Sequence, residues 1–155
     1  MRLLLQRVRQ AQVVVDEVTV GEIGPGLLVL VGFGKQDGPG LPDDPVWGKM
    51  IDKMIGLRIF PDTESRMNRS LADVGGDLLL VSQFTLHADC RKGRRPSFTN
   101  AADPAVAQKL FERLAADAAD RAPGRTEQGL FGELMDVSLT NWGPVTIMLR
   151  SEDLG

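Results

Sequence analysis

Gly26-Leu27-Leu28-Val29-Leu30-Val31-Gly32-Phe33 is apolar wherever it carries a side chain. A strand with one wet face alternates, so an unbroken run of this length belongs to a strand covered on both faces. Asp77-Leu78-Leu79-Leu80-Val81-Ser82-Gln83-Phe84 repeats the pattern. Each run follows a glycine-rich turn, Gly24-Pro25-Gly26 and Gly75-Gly76, and the two read as neighbouring central strands over 26–33 and 77–86. Further strands are expected at 2–9, 12–20, 57–60, 126–131, 134–140 and 145–150. Asp44-Pro45 and Asp103-Pro104 each supply a capping acceptor followed by a proline suited to the first helical position. Trp47, Met50, Ile51, Met54 and Ile55 then recur at helical spacing, as do Ala107, Leu110, Phe111, Leu114 and Ala118. Pro123-Gly124 marks the end of the second helix. The expected fold is α/β with α+β character: a curved, mixed or antiparallel sheet or small barrel with two covering helices, all in one domain, 1–155.

Composition excludes several classes. Apolar residues make up 43% and charged residues 25%, as in ordinary globular chains. Leu3-Leu4-Leu5 is too short for a signal-peptide core, and no later run approaches a membrane span. A lone cysteine, Cys90, permits no internal disulfide and fits a reducing, cytoplasmic setting. There is no Gly-x-Ser-x-Gly elbow and no phosphate loop, and Gly32-Phe33-Gly34 is too short for a dinucleotide fingerprint. One histidine and one cysteine do not make a typical zinc site, so neither metal nor cofactor is expected. Asp16-Glu17 and Asp43-Asp44 fall at a turn and a cap, where solvation accounts for them. The net charge of −3 rules out whole-molecule attraction to nucleic acid. Arg91-Lys92-Gly93-Arg94-Arg95 nevertheless concentrates four cations, either as a solvated loop or as a contact for RNA phosphate.

The polar end of the second central run holds the candidate chemistry. Read as a continuing strand, 77–86 places Gln83, Thr85 and His87 on one face and Ser82, Phe84 and Leu86 on the other. Thr85 as a nucleophile activated by His87 is one reading, with Cα atoms about 7 Å apart, although no acid is placed to orient the imidazole. In a second reading, backbone N–H groups near Ser82 to Thr85 stabilise an oxyanion formed from an already activated ester, each donor supplying about 3 kcal/mol. Further on, Gly143-Pro144 opens a strand: Pro144 has no N–H for a ladder, and Gly143 lets the backbone approach a ligand or another chain.

Val81-Ser82-Gln83-Phe84-Thr85-Leu86 and Asn141-x-Gly143-Pro144-Val145-Thr146 together resemble the motifs of bacterial-type D-aminoacyl-tRNA deacylases. The likeness runs over nearly the whole chain, through Gln6-Arg7-Val8, Leu57-Arg58-Ile59-Phe60, Met67-Asn68, Arg95-Pro96-Ser97-Phe98 and Val137-Ser138-Leu139. The resemblance implies a homodimer that frees D-amino acids, and also glycine, from mischarged tRNA. Its pocket would use Ser82, Gln83, Phe84 and Thr85 on the acceptor end of an aminoacyl-tRNA. Gly143-Pro144 would be a cis peptide held by Arg7 and inserted into the other subunit's pocket, where rigid carbonyls clash with any L side chain. Arg91, Lys92, Arg94 and Arg95 would touch the tRNA. Two residues depart from the pattern. His87 stands where a small residue is expected, and Trp142 fills a variable place, to stack on the terminal adenine or to pack at the dimer interface. Relatives of this fold in animals are linked to DNA-unwinding elements, which keeps a non-catalytic nucleic-acid-binding module as the alternative.

Overall fold

The computed structural model describes residues 1–155. Strand β1 (Arg2–Val15) is the spine of the sheet. Strand β8 (Asp136–Arg150) runs antiparallel along one of its edges. The other edge is shared by β3 (Gly26–Gly32) and then β2 (Val18–Ile23), both antiparallel to β1. Strands β6 (Asp77–Ser82) and β7 (Thr126–Gln128) extend the sheet in parallel beyond β3. The sheet is mixed and curls until β2 meets β7, where a side-chain carbon on Gly21 would lie 3.1 Å from the Gln128 carbonyl. It is nearly closed into a barrel.

The central runs are unbroken because the curled sheet separates two cores. Leu27, Val29, Leu78 and Leu80 pack into the larger one, beneath the helices. Their neighbours Leu28, Leu79 and Val81 turn inward with Val8, Val13 and Ile23. Helix α1 (Pro45–Gly56) is capped by Asp44, which accepts from Val46 N at 2.8 Å. Helix α3 (Pro104–Ala119) is capped by Asp103, which accepts from Ala105 N at 2.9 Å. Both bury their predicted apolar stripes against the sheet. A third helix, α2 (Leu71–Val74), begins at a Ser70–Asp73 capping box and ends at Gly75. Four residues make too short a period to read in sequence.

Several boundaries differ from expectation. The strand expected over 12–20 is cut by a tight turn at Asp16-Glu17, both residues having positive φ. Residues 2–9 and 12–15 instead form the single strand β1, continuous past Gln10. The strand expected at 57–60 shrinks to β4 (Phe60–Pro61), which pairs with β5 (Met67–Arg69) in a separate ribbon. Strands expected at 134–140 and 145–150 are one, with a bulge between them. Helix α3 stops at Ala119, before Gly124. No helix is long and apolar enough to cross a membrane.

Candidate active site

The polar pentad Ser82-Gln83-Phe84-Thr85-Leu86 does not continue as a strand. Strand β6 ends at Ser82, and Phe84 to His87 form one turn of 3-10 helix. Gln83 N still donates to Val31 O at 2.7 Å, and Leu86 N closes the turn on Gln83 O at 3.3 Å. The first amides of any helix lack an internal acceptor. Those of Phe84 and Thr85 accordingly donate to no oxygen of the chain. Gly32 allows this turn to lie on β3, since a Cβ there would stand 2.8 Å from Gln83 O and 3.0 Å from Leu86 Cβ.

The turn also separates Thr85 from His87, so the shared strand face of Gln83, Thr85 and His87 does not exist. Thr85 is exposed and its hydroxyl accepts from Gln83 Nε2. His87 points behind the turn, with Nε2 at 3.3 Å from Gly32 O. It lines a polar cavity with Arg2, Asp37 and Asn100. Burial lowers its pKa, partly offset by the Gly32 carbonyl. On the other side, Ser82, Gln83 and Phe84 line an apolar cavity of 620 Å³ closed by Phe98, Phe111 and Met135. Phe84 and Phe98 meet edge to face with centroids 5.0 Å apart. The size and lining suit a small organic group held by a few polar contacts at the rim.

Next to this cavity, Asp89 and Ser97 exchange backbone hydrogen bonds of 2.8 and 2.9 Å and raise the basic loop between them. Arg91 is not free. Its Nη2 lies 2.6 Å from Asp89 Oδ2, and this pairing holds the Asp89 carboxyl down at about 2. Lys92, Arg94 and Arg95 are exposed and form no ion pair.

Gly143 and Pro144 sit on a bulge of β8. Gln6 pairs with Thr146 and Val8 with Asn141, so the four residues Trp142 to Val145 face Arg7 alone. The Asn141 side chain braces the bulge, accepting from Val145 N at 2.7 Å and donating to Thr146 Oγ1 at 2.9 Å. Arg7, only 7% exposed, donates from Nε to Trp142 O at 2.6 Å and from Nη1 to Ile59 O. Gly143 has φ 144°, a conformation that disfavours L side chains, and its bond to Pro144 is cis. Both residues are exposed. Asn141 beside Gly-Pro signalled a turn in sequence, but its reach to Val145, four residues on, depends on the bulge. The role of Gly32 was not legible in sequence, since it depends on the turn lying across β3.

The two motifs do not meet within one chain. Ser82 pairs with Val31, Val31 with Leu3 and Leu3 with Leu149, whereas Gly143 flanks Arg7. Four residues along β1 and three strand spacings put them roughly 20 Å apart over the sheet.

The sequence profile described as D-Tyr-tRNA(Tyr) deacylase matches residues 4–150. The chain belongs to this family. A D-aminoacyl-tRNA deacylase of Nitratidesulfovibrio vulgaris is 60% identical over 154 residues, covering 99% of this chain and 95% of the relative. One from Solidesulfovibrio magneticus is 56% identical, covering 100% and 98%. Among solved structures, the c-Myc DNA Unwinding Element Binding Protein superimposes with a TM-score of 0.87 at 32% identity, over 97% of this chain and 98% of that one. A probable eukaryotic D-amino acid tRNA deacylase, 22% identical with a TM-score of 0.78 over 96% and 97%, shares the fold. Within the family frame, the pentad turn and the Gly143 bulge are the two sites the sequence singled out, and each is built from backbone.

Proposed function

We propose that the whole chain acts as one deacylase unit that hydrolyses the ester of D-aminoacyl-tRNA, and of glycyl-tRNA, and spares L-aminoacyl-tRNA. The observation that carries this reading is the pair of uncommitted amides at Phe84 and Thr85 on the rim of an apolar cavity. Water adds to the ester carbonyl carbon and gives up a proton to the neighbouring ribose hydroxyl, while the carbonyl oxygen that becomes anionic accepts from these amides. Collapse of the tetrahedral adduct breaks the bond to the ribose oxygen, which leaves with a proton delivered through the neighbouring ribose hydroxyl. Each amide is worth about 3 kcal/mol to such a step. The ester is already activated, so no nucleophilic side chain, metal or cofactor is required.

Selection by handedness falls to Gly143 and Pro144. Their separation from Ser82 of the same chain supports a homodimer in which a second copy brings them to the pocket. Strand β8 offers the docking edge, because it pairs only with β1 and none of its residues is buried. Backbone carbonyls placed against the α carbon exclude an L side chain and admit hydrogen or a D side chain, which is discrimination by steric exclusion. Lys92, Arg94 and Arg95 face the acceptor-stem phosphates, with Arg91 partly committed to Asp89. A tRNA substrate implies a cytoplasmic site of action.

Hydrolysis of D-tyrosyl-tRNA against L-tyrosyl-tRNA by the purified chain tests the proposal. Rapid release from the D ester alone is the expected result, and equal rates for both would overturn it. The name of the 32% identical structure keeps a DNA-binding reading in view. Tight DNA binding without deacylation would favour that reading.

A further inference from the structure

Arg9 is the residue that β1 extrudes next to the bulge. Val8 pairs with Asn141 and Gln10 with Thr140, so Arg9 has no partner on β8. It sits in the irregularity of β1, where strict alternation is interrupted, and its side chain nevertheless reaches the same ring as Arg7. Both guanidinium groups lie over the indole of Trp142, Arg9 at 4.4 Å and Arg7 at 4.7 Å from the ring centre. Neither arginine forms an ion pair with a carboxylate. Arg7 is nevertheless buried, and burial followed by the Arg9 charge lowers its pKa. The negative face of an indole is the neutral group best suited to hold two like charges together. Trp142 is itself held, because its side chain packs against the larger core and its backbone carbonyl accepts from Arg7.

We propose that Trp142 and Arg9 are positioning residues for the Gly143–Pro144 wedge, acting through Arg7; this rests on the proposed chirality filter. Arg7 alone links the bulge to Ile59 on the neighbouring segment. Its Nη2 lies where a Cβ on Gly143 would come within 2.9 Å. Any swing of the guanidinium therefore shifts the wedge. The indole supplies the floor that prevents the swing, and Arg9 presses on the same ring.

The test measures kcat and KM for D-tyrosyl-tRNA and L-tyrosyl-tRNA, with the melting temperature of each variant as a folding control. Trp142→Ala, which removes the contact to buried Arg7, is expected to lower the D-over-L ratio of kcat/KM about tenfold, and Arg9→Ala, which removes an exposed cation–π contact, about two- to fivefold. The change should fall in kcat for the D ester and in a rise for the L ester, with KM for the D ester unmoved. Trp142→Phe should restore most of the ratio, because a phenyl face still holds a cation. If Trp142→Ala fails to fold, the exposed Arg9 keeps the test intact. Gly143→Ala runs alongside. A ratio that changes with Gly143→Ala but not with Arg9→Ala or Trp142→Ala overturns the positioning role and leaves the filter standing. A ratio unmoved by Gly143→Ala sinks both.

Discussion

Adding one methyl group at Gly32 should disable the site from beneath, by pushing on the backbone of its turn. The new Cβ would stand 2.8 Å from Gln83 O, 3.0 Å from Leu86 Cβ and 3.2 Å from His87 Cδ2. Two of these neighbours are the pentad's own backbone or the atom next to it, so the turn must lift rather than a flexible tip move aside. Lifting it by a few tenths of an ångström weakens the Gln83–Val31 hydrogen bond and tips the Phe84 and Thr85 amides off the ester oxygen. Misaligning one such donor costs about 3 kcal/mol, a fall of roughly 150-fold in kcat. Overpacking of this kind costs about 1–3 kcal/mol of stability, so the melting point drops while the protein stays folded. Single-turnover deacylation of D-tyrosyl-tRNA, compared with circular dichroism on the same sample, separates the two effects. A Gly32→Ala protein that is fully folded and turns over at the parental rate would refute the claim that these amides carry the chemistry.

Thr85→Ala removes only a hydroxyl that accepts from Gln83, so turnover should fall less than about tenfold, the worth of one hydrogen bond; a loss beyond roughly a thousandfold in the same assay would restore Thr85 as nucleophile. Neutralising Lys92, Arg94 and Arg95 together should flatten the salt dependence of tRNA binding by about two to three units, and Asp89→Asn, which frees Arg91, should steepen it by about one. Filter binding across a salt series reads both slopes, and identical slopes would return the loop to bulk solvent. His87 carries a pKa below its ordinary 6.5 because burial opposes the charged ring. The unfolded chain then takes up the proton first, so the neutral ring's support is complete above about pH 6.5 and is lost as the solution is acidified below that. Urea melts at pH 5 and pH 7.5 should differ more for the parent than for His87→Gln, and equal differences would exclude His87 as the titrating group.

The central strands were legible because alternate residues of β3 and β6 face opposite cores, which leaves no polar position between Leu27 and Val31 or between Leu78 and Val81. The Asp-Pro caps were legible for a local reason: the acceptor and its donors lie within three residues. Breaks set by partner strands were hidden. Nothing in Phe84-Thr85-Leu86-His87 opposes an extended chain, and the turn follows from the open space over Gly32, fifty residues earlier. The bulge at Trp142 to Val145 was half visible, since Gly-Pro flagged an irregularity that was read as the gap between two strands. The pairing of Arg91 with Asp89 escaped because the cluster was read by its cations alone, although the neutralising acid stands two residues before it.

The roughly 20 Å between Ser82 and Gly143 carries a genetic consequence. In the proposed dimer, a chain crippled at the turn is slow and one crippled at the wedge is unselective, yet a mixed pair of them contains one undamaged combination. Blending Gly32→Ala with Gly143→Ala, and allowing subunits to exchange, should bring back selective turnover that neither parent shows. Two lesions on the same motif should never rescue each other.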